Sequence, residues 1–229
     1  MRILVATTNP GKIAELSAML DADVQWVNLS DFKGIGEIKE DGQSFAENAR
    51  KKAIGYAKET GLWTIADDSG LVIDALGGQP GVKSARFSEA TNEGRIFVTR
   101  DSAPVARFNE RRVSSDERRI IDHKYIAKVL KLLVGVPKEN RTAKFVCCLC
   151  LAGAEKVLIE TQGSLEGVII DRETGTNGFG YDPIFFVPKL NKTVAQMDAD
   201  EKNAISHRGN AIRKLRPLLN GLLQSIKKA

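Results

Sequence analysis

Short apolar runs alternate with amphipathic stretches along most of the chain, and several of the runs are rich in β-branched and aromatic residues, as strands are. The predicted strands are, in chain order, RILVATT, DVQWVNL, WTIA, LVIDAL, AKFVCCLCLA, KVLIETQG and EGVII. The last three follow one another closely, which predicts successive antiparallel strands. We therefore expect an α/β fold with a large mixed sheet.

Two amphipathic stretches carry clear signals of helix ends. NPGKIAELSAML offers Asn9 as the N-cap and Pro10 at the first helical position. SFAENARKKAIGYAKETG opens with Ser44 and Glu47 in capping-box spacing and closes with Gly61, where a left-handed C-cap is expected. Both stretches are predicted to be helices.

Two later regions are less regular. The last helix is predicted to start near Ser206, and Pro217 should kink or restart it. Residues 90–119 carry seven arginines, no lysine and five acidic residues, with little periodicity. This composition favours a solvated loop or small insertion over a dedicated binding surface, although such a segment can shape access to a site.

Composition limits the class of protein. With 229 residues, 42% of them hydrophobic, the chain can bury a large core, and we expect one domain over residues 1–229, in one or two lobes. Its net charge of +5 suits an anionic partner, which nucleic acid, a membrane surface or small phosphates would all provide. MRILVATTNP has no secretory-signal pattern, and no apolar run is long enough to span a bilayer. We expect a cytoplasmic protein with no membrane partner.

The three cysteines, Cys147, Cys148 and Cys150, all lie within the apolar run KFVCCLCLAG. An odd number of thiols packed this closely is a poor disulfide framework, and no nearby histidine completes a zinc site. We expect free thiols that fill a core strand.

TIADDSGLVIDALGG places two adjacent carboxylates, Asp67 and Asp68, between apolar runs. Burying an unpaired charge is costly, so a cation is expected beside them. Neighbouring strand residues point to opposite faces, so both carboxylates serve one site only if the strand ends there, as Gly70 suggests. Magnesium takes one or two carboxylates and completes its shell with water and phosphate oxygens. A pair of turn-capping aspartates is the alternative.

Two lysines are candidate phosphate ligands. TTNPGK lies at a strand-to-helix turn, where backbone N–H groups attract phosphate and Lys12 adds a charge, although a capped turn without function would look similar. Lys52 falls on the inward, apolar stripe of its helix. An inward lysine needs either an anion to meet or a path that carries its head to solvent.

The C-terminal third adds an aromatic side chain and several hydrogen-bond donors. In TNGFGYDPIFFVP, Gly178 and Gly180 flank Phe179, whose ring could stack on a nucleobase. DEKNAISHRGNA places donors near a helix start, namely Lys202, His207 and Arg208. Together with the aspartate pair and the TTNPGK turn, these features predict a site for a nucleoside phosphate.

Five motifs carry a resemblance to a known family: TTNPGK, EDGQSFAENARKKA, IADDSGLVIDALGGQPGVKSAR, GFGYDPIF and EKNAISHRG. In order and spacing they resemble the inosine triphosphate pyrophosphatases, the Ham1-like purine nucleoside triphosphate pyrophosphatases. The resemblance implies an elongated mixed sheet flanked by helices, two lobes with the active site in the cleft between them, a homodimer and Mg²⁺. It also implies hydrolysis of ITP, dITP and XTP to the monophosphate and pyrophosphate, which cleanses the nucleotide pool. The family usually has a much shorter loop at about 90–119, so this segment is interpreted as an Arg-rich insertion.

The resemblance further implies a role for each matching residue. Asp68 and Glu40 would hold Mg²⁺, Asp68 would also accept a proton, and Asp67 would position water or metal. The triphosphate would contact Thr7, Thr8, Asn9, Lys12, Lys52 and Ser69. The base would stack on a wall formed by Phe179, Gly180, Tyr181 and Asp182, and its edge would be read by Lys202, His207 and Arg208.

Selectivity is expected at purine position 6, where a keto oxygen accepts from Arg208 or its backbone neighbours and the amino group of ATP presents donors to donors. A Maf-like nucleotide pyrophosphatase with another base preference is an alternative, against which Phe179 and SHRG argue. A basic nucleic-acid-binding protein would explain the net charge, but it gives no reason for the aspartate pair or the inward Lys52. Nucleic acid is therefore not the expected partner.

Overall fold

The computed structural model describes residues 1–20, 22–87 and 115–228, and within the helix that begins at 115 it describes side chains from residue 117 onward. The helices are α1 (Pro10–Met19), α2 (Phe45–Thr60), α3 (Ser115–Leu132), α4 (Ala199–Ile205) and α5 (His207–Lys227). The strands are β1 (Arg2–Val5), β2 (Gln25–Asn28), β3 (Trp63–Ile73), β4 (Thr142–Ala152), β5 (Val157–Ile169), β6 (Phe185–Val187) and β7 (Lys192–Thr193). None of the helices described is long and apolar enough to cross a membrane.

The strands form one mixed sheet in the order β2-β1-β3-β4-β5-β6-β7, which confirms the predicted α/β class. β1 pairs in parallel with β2 and β3, and the remaining neighbours are antiparallel. KVLIETQG and EGVII, predicted as two strands, are parts of the single strand β5.

The prediction that a strand ends at the aspartate pair is wrong. β3 continues through it, with Asp67 opposite Leu149, Asp68 opposite Cys148 and Gly70 opposite Val146 on β4. Gly70 is needed for close packing and not for a turn, because a Cβ atom there would lie 2.3 Å from the Ser84 hydroxyl.

The predicted helix ends are largely confirmed. Asn9 caps α1, and Gly61 closes α2 with a positive φ of 68°. Ser44 accepts the N–H of Glu47, but the Glu47 carboxylate accepts from Gln43, so only half of the expected capping box forms. Ser206 caps α5, as expected.

Two helical regions differ from the prediction. Pro217 was expected to kink or restart the last helix, and α5 continues without a break past it, so the helix does not restart there. Residues 88–114, which hold most of the Arg-rich segment, lie outside the described residues, but 115–119 form the first turn of α3 and not a loop. α3 itself was not predicted, although Ile126, Val129 and Leu133 follow helical spacing and are buried.

Hydrophobic clusters cover both faces of the sheet. α1 and α5 pack on one face of its first half, and α2 packs on the other. α3 packs against the far half, around Leu71, Phe145 and Phe185. The three cysteines are buried and free, as predicted. The aspartate pair lies between the clusters of the two halves, where a polar site interrupts the core.

Candidate active site

The two aspartates meet where β1 ends and leaves one side of β3 unpaired. β1 pairs with β3 only as far as Val5 and Ile65, so beyond Ile65 the β1 side of β3 is free for side chains. The turn that follows β1 crosses this opening, in the way that ligand crevices form at the carboxyl ends of parallel strands. Asp67 and Asp68 reach the opening from opposite faces of the sheet, which explains how neighbouring residues on a continuous strand can serve one site.

Asp67 is the centre of an ion network. Its carboxylate accepts from Lys12 Nζ at 2.6 Å, from Arg208 Nη2 at 3.0 Å and from the Ser69 hydroxyl at 3.2 Å. Burial raises the pKa of Asp67, but the cations of Lys12, Arg208 and Lys52 outweigh burial and hold that pKa well below its usual range. Asp67 is therefore a fixed anion that orients its neighbours, and it is not a proton acceptor.

The network continues through Glu15, a residue that the sequence analysis missed. Glu15 accepts from Lys202 Nζ at 2.8 Å and pairs with Arg208. Lys202 also donates to Asp182 at 2.7 Å. Glu15 follows Lys12 by three residues on α1, and this spacing places both on one helix face, so a sequence signal was available. Carboxylates and cations thus alternate from α1 to the start of α5.

Asp68 has a different environment. It accepts from Asn48 Nδ2 and from the N–H of Ser69, both at 3.0 Å. Burial is the largest influence on its carboxyl and raises its pKa to about 6, against the opposing charges of Lys52 and Lys12. A carboxyl with this pKa is ionised at neutral pH and still basic enough to take a proton from water.

Lys52 points into the site and not into solvent. Its Nζ donates to the carbonyl of Asp67 at 2.5 Å and lies 3.1 Å from Glu40 Oε2. Burial lowers the pKa of Lys52, but the charges of Asp67, Glu40 and Asp68 outweigh it and leave the pKa raised. The charge of Lys52 therefore acts on two carboxylates, Glu40 and Asp68, and the oxygens of this pair suit a bound cation.

A metal at this position would depend on few protein ligands. Within the described ranges, no group of three or more histidine, cysteine, aspartate or glutamate side chains is arranged to hold a metal ion. Glu40, whose side chain is 22% exposed, and Asp68 fit the habit of Mg²⁺, which uses one or two carboxylates and takes its other ligands from water and phosphate.

The TTNPGK turn is held by its own side chains. Asn9 Oδ1 accepts the N–H groups of Gly11 at 2.9 Å and Lys12 at 3.3 Å, and Thr7 Oγ1 accepts the N–H of Asn9 at 3.2 Å. The first N–H groups of α1 are therefore already satisfied within the turn. Thr8 is exposed at its outer side.

Phe179 lies against the TTNPGK turn. Its ring lies so close to Gly11 that a Cβ atom there would be 2.5 Å from the ring, and Lys202 Nζ lies 4.4 Å from the ring centroid. The N–H of Phe179 donates to Asp182 Oδ2 at 2.9 Å, and the N–H of Gly180 donates to Asp122 Oδ2 at 2.8 Å. The aromatic side chain is thus beside the turn expected to hold phosphate.

Five residues expected to contact the base have buried side chains, and two of them, Asp182 and Lys202, are paired with each other. Tyr181 is 5% exposed and donates its hydroxyl to the carbonyl of Ser84, and the His207 ring stacks on Phe145 at 4.9 Å. Burial, followed by the charge of Arg208, lowers the pKa of His207 well below its usual value, so the ring is neutral. Arg208 is 1% exposed and is held by Glu15, Asp67 and Ser69. Any contact of Tyr181 or His207 with a base is therefore expected from the backbone.

The fold and site define an α/β protein with a cleft that carries carboxylates, lysines and an aromatic ring. The chain matches the model of the Ham1 family over residues 3–98 and 104–218. It is 40% identical over 223 residues to the dITP/XTP pyrophosphatase of Desulforamulus reducens, an alignment that covers 97% of each chain. It is 42% identical over 216 residues to that of Geobacter sulfurreducens, with 94% of each chain covered. A HAM1 protein structure from Coxiella burnetii is 36% identical with a TM-score of 0.76, covering 96% of this chain and 99% of that one. The chain belongs to the Ham1 family, which confirms the family indicated by the motifs.

Proposed function

We propose that this protein hydrolyses deaminated purine nucleoside triphosphates, ITP, dITP and XTP, to the monophosphate and pyrophosphate. The observation that carries the proposal is the placement of Asp68 and Glu40 around Lys52, beside the TTNPGK turn, in a chain of the Ham1 family. It is a hydrolase of the bond between the α and β phosphates, and it removes abnormal precursors from the nucleotide pool.

We assign each side chain of the site a separate role in hydrolysis of the phosphoanhydride bond. Lys12 and Lys52 offset the charge of the triphosphate, while Thr7, Thr8, Asn9 and Ser69 position it. Asp68 orients the attacking water and accepts its proton, as its pKa of about 6 permits. Glu40 and Asp68 would hold Mg²⁺, which supplies charge neutralisation at the phosphates when bound. Asp67 acts through Lys12 and Arg208, which it holds in place.

Base selection follows from the donors around Phe179. The ring stacks on the base, and the N–H groups at the start of α5 face the keto oxygen at purine position 6, while the Lys202 ammonium is held by Glu15 and Asp182 beside the ring. The amino group of ATP would leave these donors unpaired, which lowers its turnover by several orders of magnitude. The Arg208 side chain is occupied by Glu15 and Asp67, so we assign it the support of this wall.

We further propose a cytoplasmic homodimer built from a single domain over residues 1–229 with an Arg-rich segment at about 90–119. The three free cysteines suit a reducing compartment. The exposed apolar side chains of Leu132 and Val134, at the end of α3, suit a subunit contact. Sedimentation equilibrium of the whole chain tests the dimer, and a monomer at micromolar concentration would exclude it.

Turnover of ITP and ATP side by side, with Mg²⁺ present, tests the reaction and its selectivity together. Pyrophosphate and orthophosphate are measured separately. We expect pyrophosphate from ITP and little from ATP. Orthophosphate as the direct product would reject the proposed bond, and turnover of other nucleotides in place of ITP would favour the Maf-like alternative.

A further inference from the structure

Helix α3 contacts the turn that carries Phe179, although none of the roles discussed above involves α3. Asp122, at the end of the second turn of the helix, accepts the N–H of Gly180 at 2.8 Å. His123 Nδ1 lies 2.8 Å from Glu173, earlier in the same loop. Ile126 and Val129 anchor the helix in the core, at 1% and 0% exposed. The turn therefore rests against a firmly packed element.

Two carboxylates from different elements hold the backbone of this turn. Gly178 and Gly180 have φ values of 76° and 62°, so the turn depends on its hydrogen bonds and on glycine at both positions. The Asp182 carboxylate accepts the N–H of Phe179, and Asp122 accepts the next N–H along the chain. These two consecutive contacts hold the backbone from which the Phe179 ring projects, and the ring itself packs against Gly11.

We propose that Asp122 is a positioning residue for base binding: by accepting the N–H of Gly180 it holds Phe179 where its ring can stack on the base of the substrate. The proposal rests on the proposed function for the identity of the substrate. Asp122 acts on the turn of Phe179 through the N–H of Gly180, so its loss should weaken binding of the base and leave the hydrolytic step unchanged. The expected signature is a raised KM with an unchanged kcat.

The first test does not depend on catalysis. Amide hydrogen exchange at Phe179 and Gly180 is followed by NMR in the wild type, Asp122→Ala, Asp122→Asn and Lys124→Ala, the last being an exposed change on the same helix. We expect exchange at Gly180 to be at least about tenfold faster in Asp122→Ala. Asp122→Asn keeps an acceptor oxygen and should stay near the wild type, as should Lys124→Ala. Unchanged exchange in Asp122→Ala would overturn the proposal.

The second test separates base binding from phosphate chemistry. KM and kcat are measured for ITP and for ribose 5-triphosphate, which has no base. Asp122→Ala should raise the KM for ITP about tenfold or more, with the kinetics of the base-free substrate unchanged. Equal losses on both substrates would overturn the positioning role. If the wild type does not cleave ITP, the proposed function fails, and the exchange experiment still decides whether Asp122 holds the turn.

Discussion

Lys12 and Asp67 form an ion pair, with Nζ and Oδ1 2.6 Å apart, that joins the first helix to the long central strand. The same carboxylate accepts from Arg208 at the start of α5. Asp67 therefore connects three elements, and the lysine proposed to meet phosphate is already oriented before a substrate arrives. These contacts give Asp67 a structural and electrostatic role, and the proposed function assigns the chemistry to Asp68.

Asp67→Asn should destabilise the protein strongly. The change removes the anion between the partly buried Lys12 and the buried Arg208, and breaking a buried pair costs about 3–5 kcal/mol of the free energy of unfolding. Urea denaturation measures this loss. Asp41→Asn is the control, because Asp41 pairs with Lys39 and Lys51 at the surface, and it should leave stability unchanged. An Asp67→Asn variant as stable as the wild type would contradict the buried network.

Gly163→Ala should displace the start of α5. A Cβ atom at Gly163 would lie 2.2 Å from the carbonyl of His207 and 2.5 Å from the nitrogen of Ala211, and both are backbone atoms that cannot rotate away. Overpacking of this kind costs about 1–3 kcal/mol. Because α5 carries Arg208, the KM for ITP should rise as well. Thermal unfolding and steady-state kinetics check the two effects.

Gly221→Ala is the matched control for Gly163→Ala, because Gly221 lies on α5, the helix that Gly163 of β5 contacts. Apart from the neighbouring backbone of α5 itself, no atom of the described residues lies within 4 Å of a Cβ atom at Gly221, and its φ is not positive. The alanine should therefore stabilise α5 by about 0.5–1 kcal/mol. If Gly163→Ala also gained stability, the change at Gly163 would reflect the lower entropy of the unfolded chain and not the close approach of α5 to β5.

The helix ends could be predicted from the sequence, whereas the extent of the central strand could not. Asn9 and Gly61 were placed correctly because capping depends on residues within one turn. The end of β3 was misplaced because Asp67, Asp68 and Gly70 together have the composition of a turn, whereas the strand continues through its ladder with β4. The residues of β3 alone do not show that β4, a distant segment, pairs along its whole length.

Only part of the candidate site could be predicted from the sequence. Motifs identified Asp68 and Lys52, but the contact between Asp122 and Gly180 spans 58 residues, and α3 follows a segment without periodicity. Tyr181 and His207 stand in motifs that suggest substrate contact, yet their side chains pack inward, because a motif specifies a residue and not which of its atoms faces the cleft.

Glu40→Gln should weaken Mg²⁺ binding at the site more than it weakens the fold. Glu40 is partly exposed and faces Lys52, so its amide analogue costs little stability but removes one of two carboxylates available to Mg²⁺. We expect the Mg²⁺ concentration for half-maximal turnover of ITP to rise about tenfold or more, with a lower maximal rate. Glu37→Gln, an exposed change three residues earlier, should leave both unchanged. An unaltered Mg²⁺ dependence in Glu40→Gln would remove Glu40 from the metal site.

Asp68→Asn should abolish turnover while preserving or raising stability, the reverse of Asp67→Asn. Loss of the proton acceptor should lower kcat by about 10²–10⁴-fold. The pKa of Asp68 is raised to about 6 in the folded, metal-free protein, so the fold binds a proton more tightly than the unfolded chain does, and wild-type stability falls as pH rises from about 4 through 6. The asparagine variant lacks this loss. In EDTA, the free energy of unfolding of Asp68→Asn, relative to that of the wild type, should therefore rise across this pH range and stay constant at higher pH. If this difference instead shrank as pH rose, the Asp68 carboxylate would be stabilised in the fold, and the assignment of Asp68 as the basic carboxylate would be wrong.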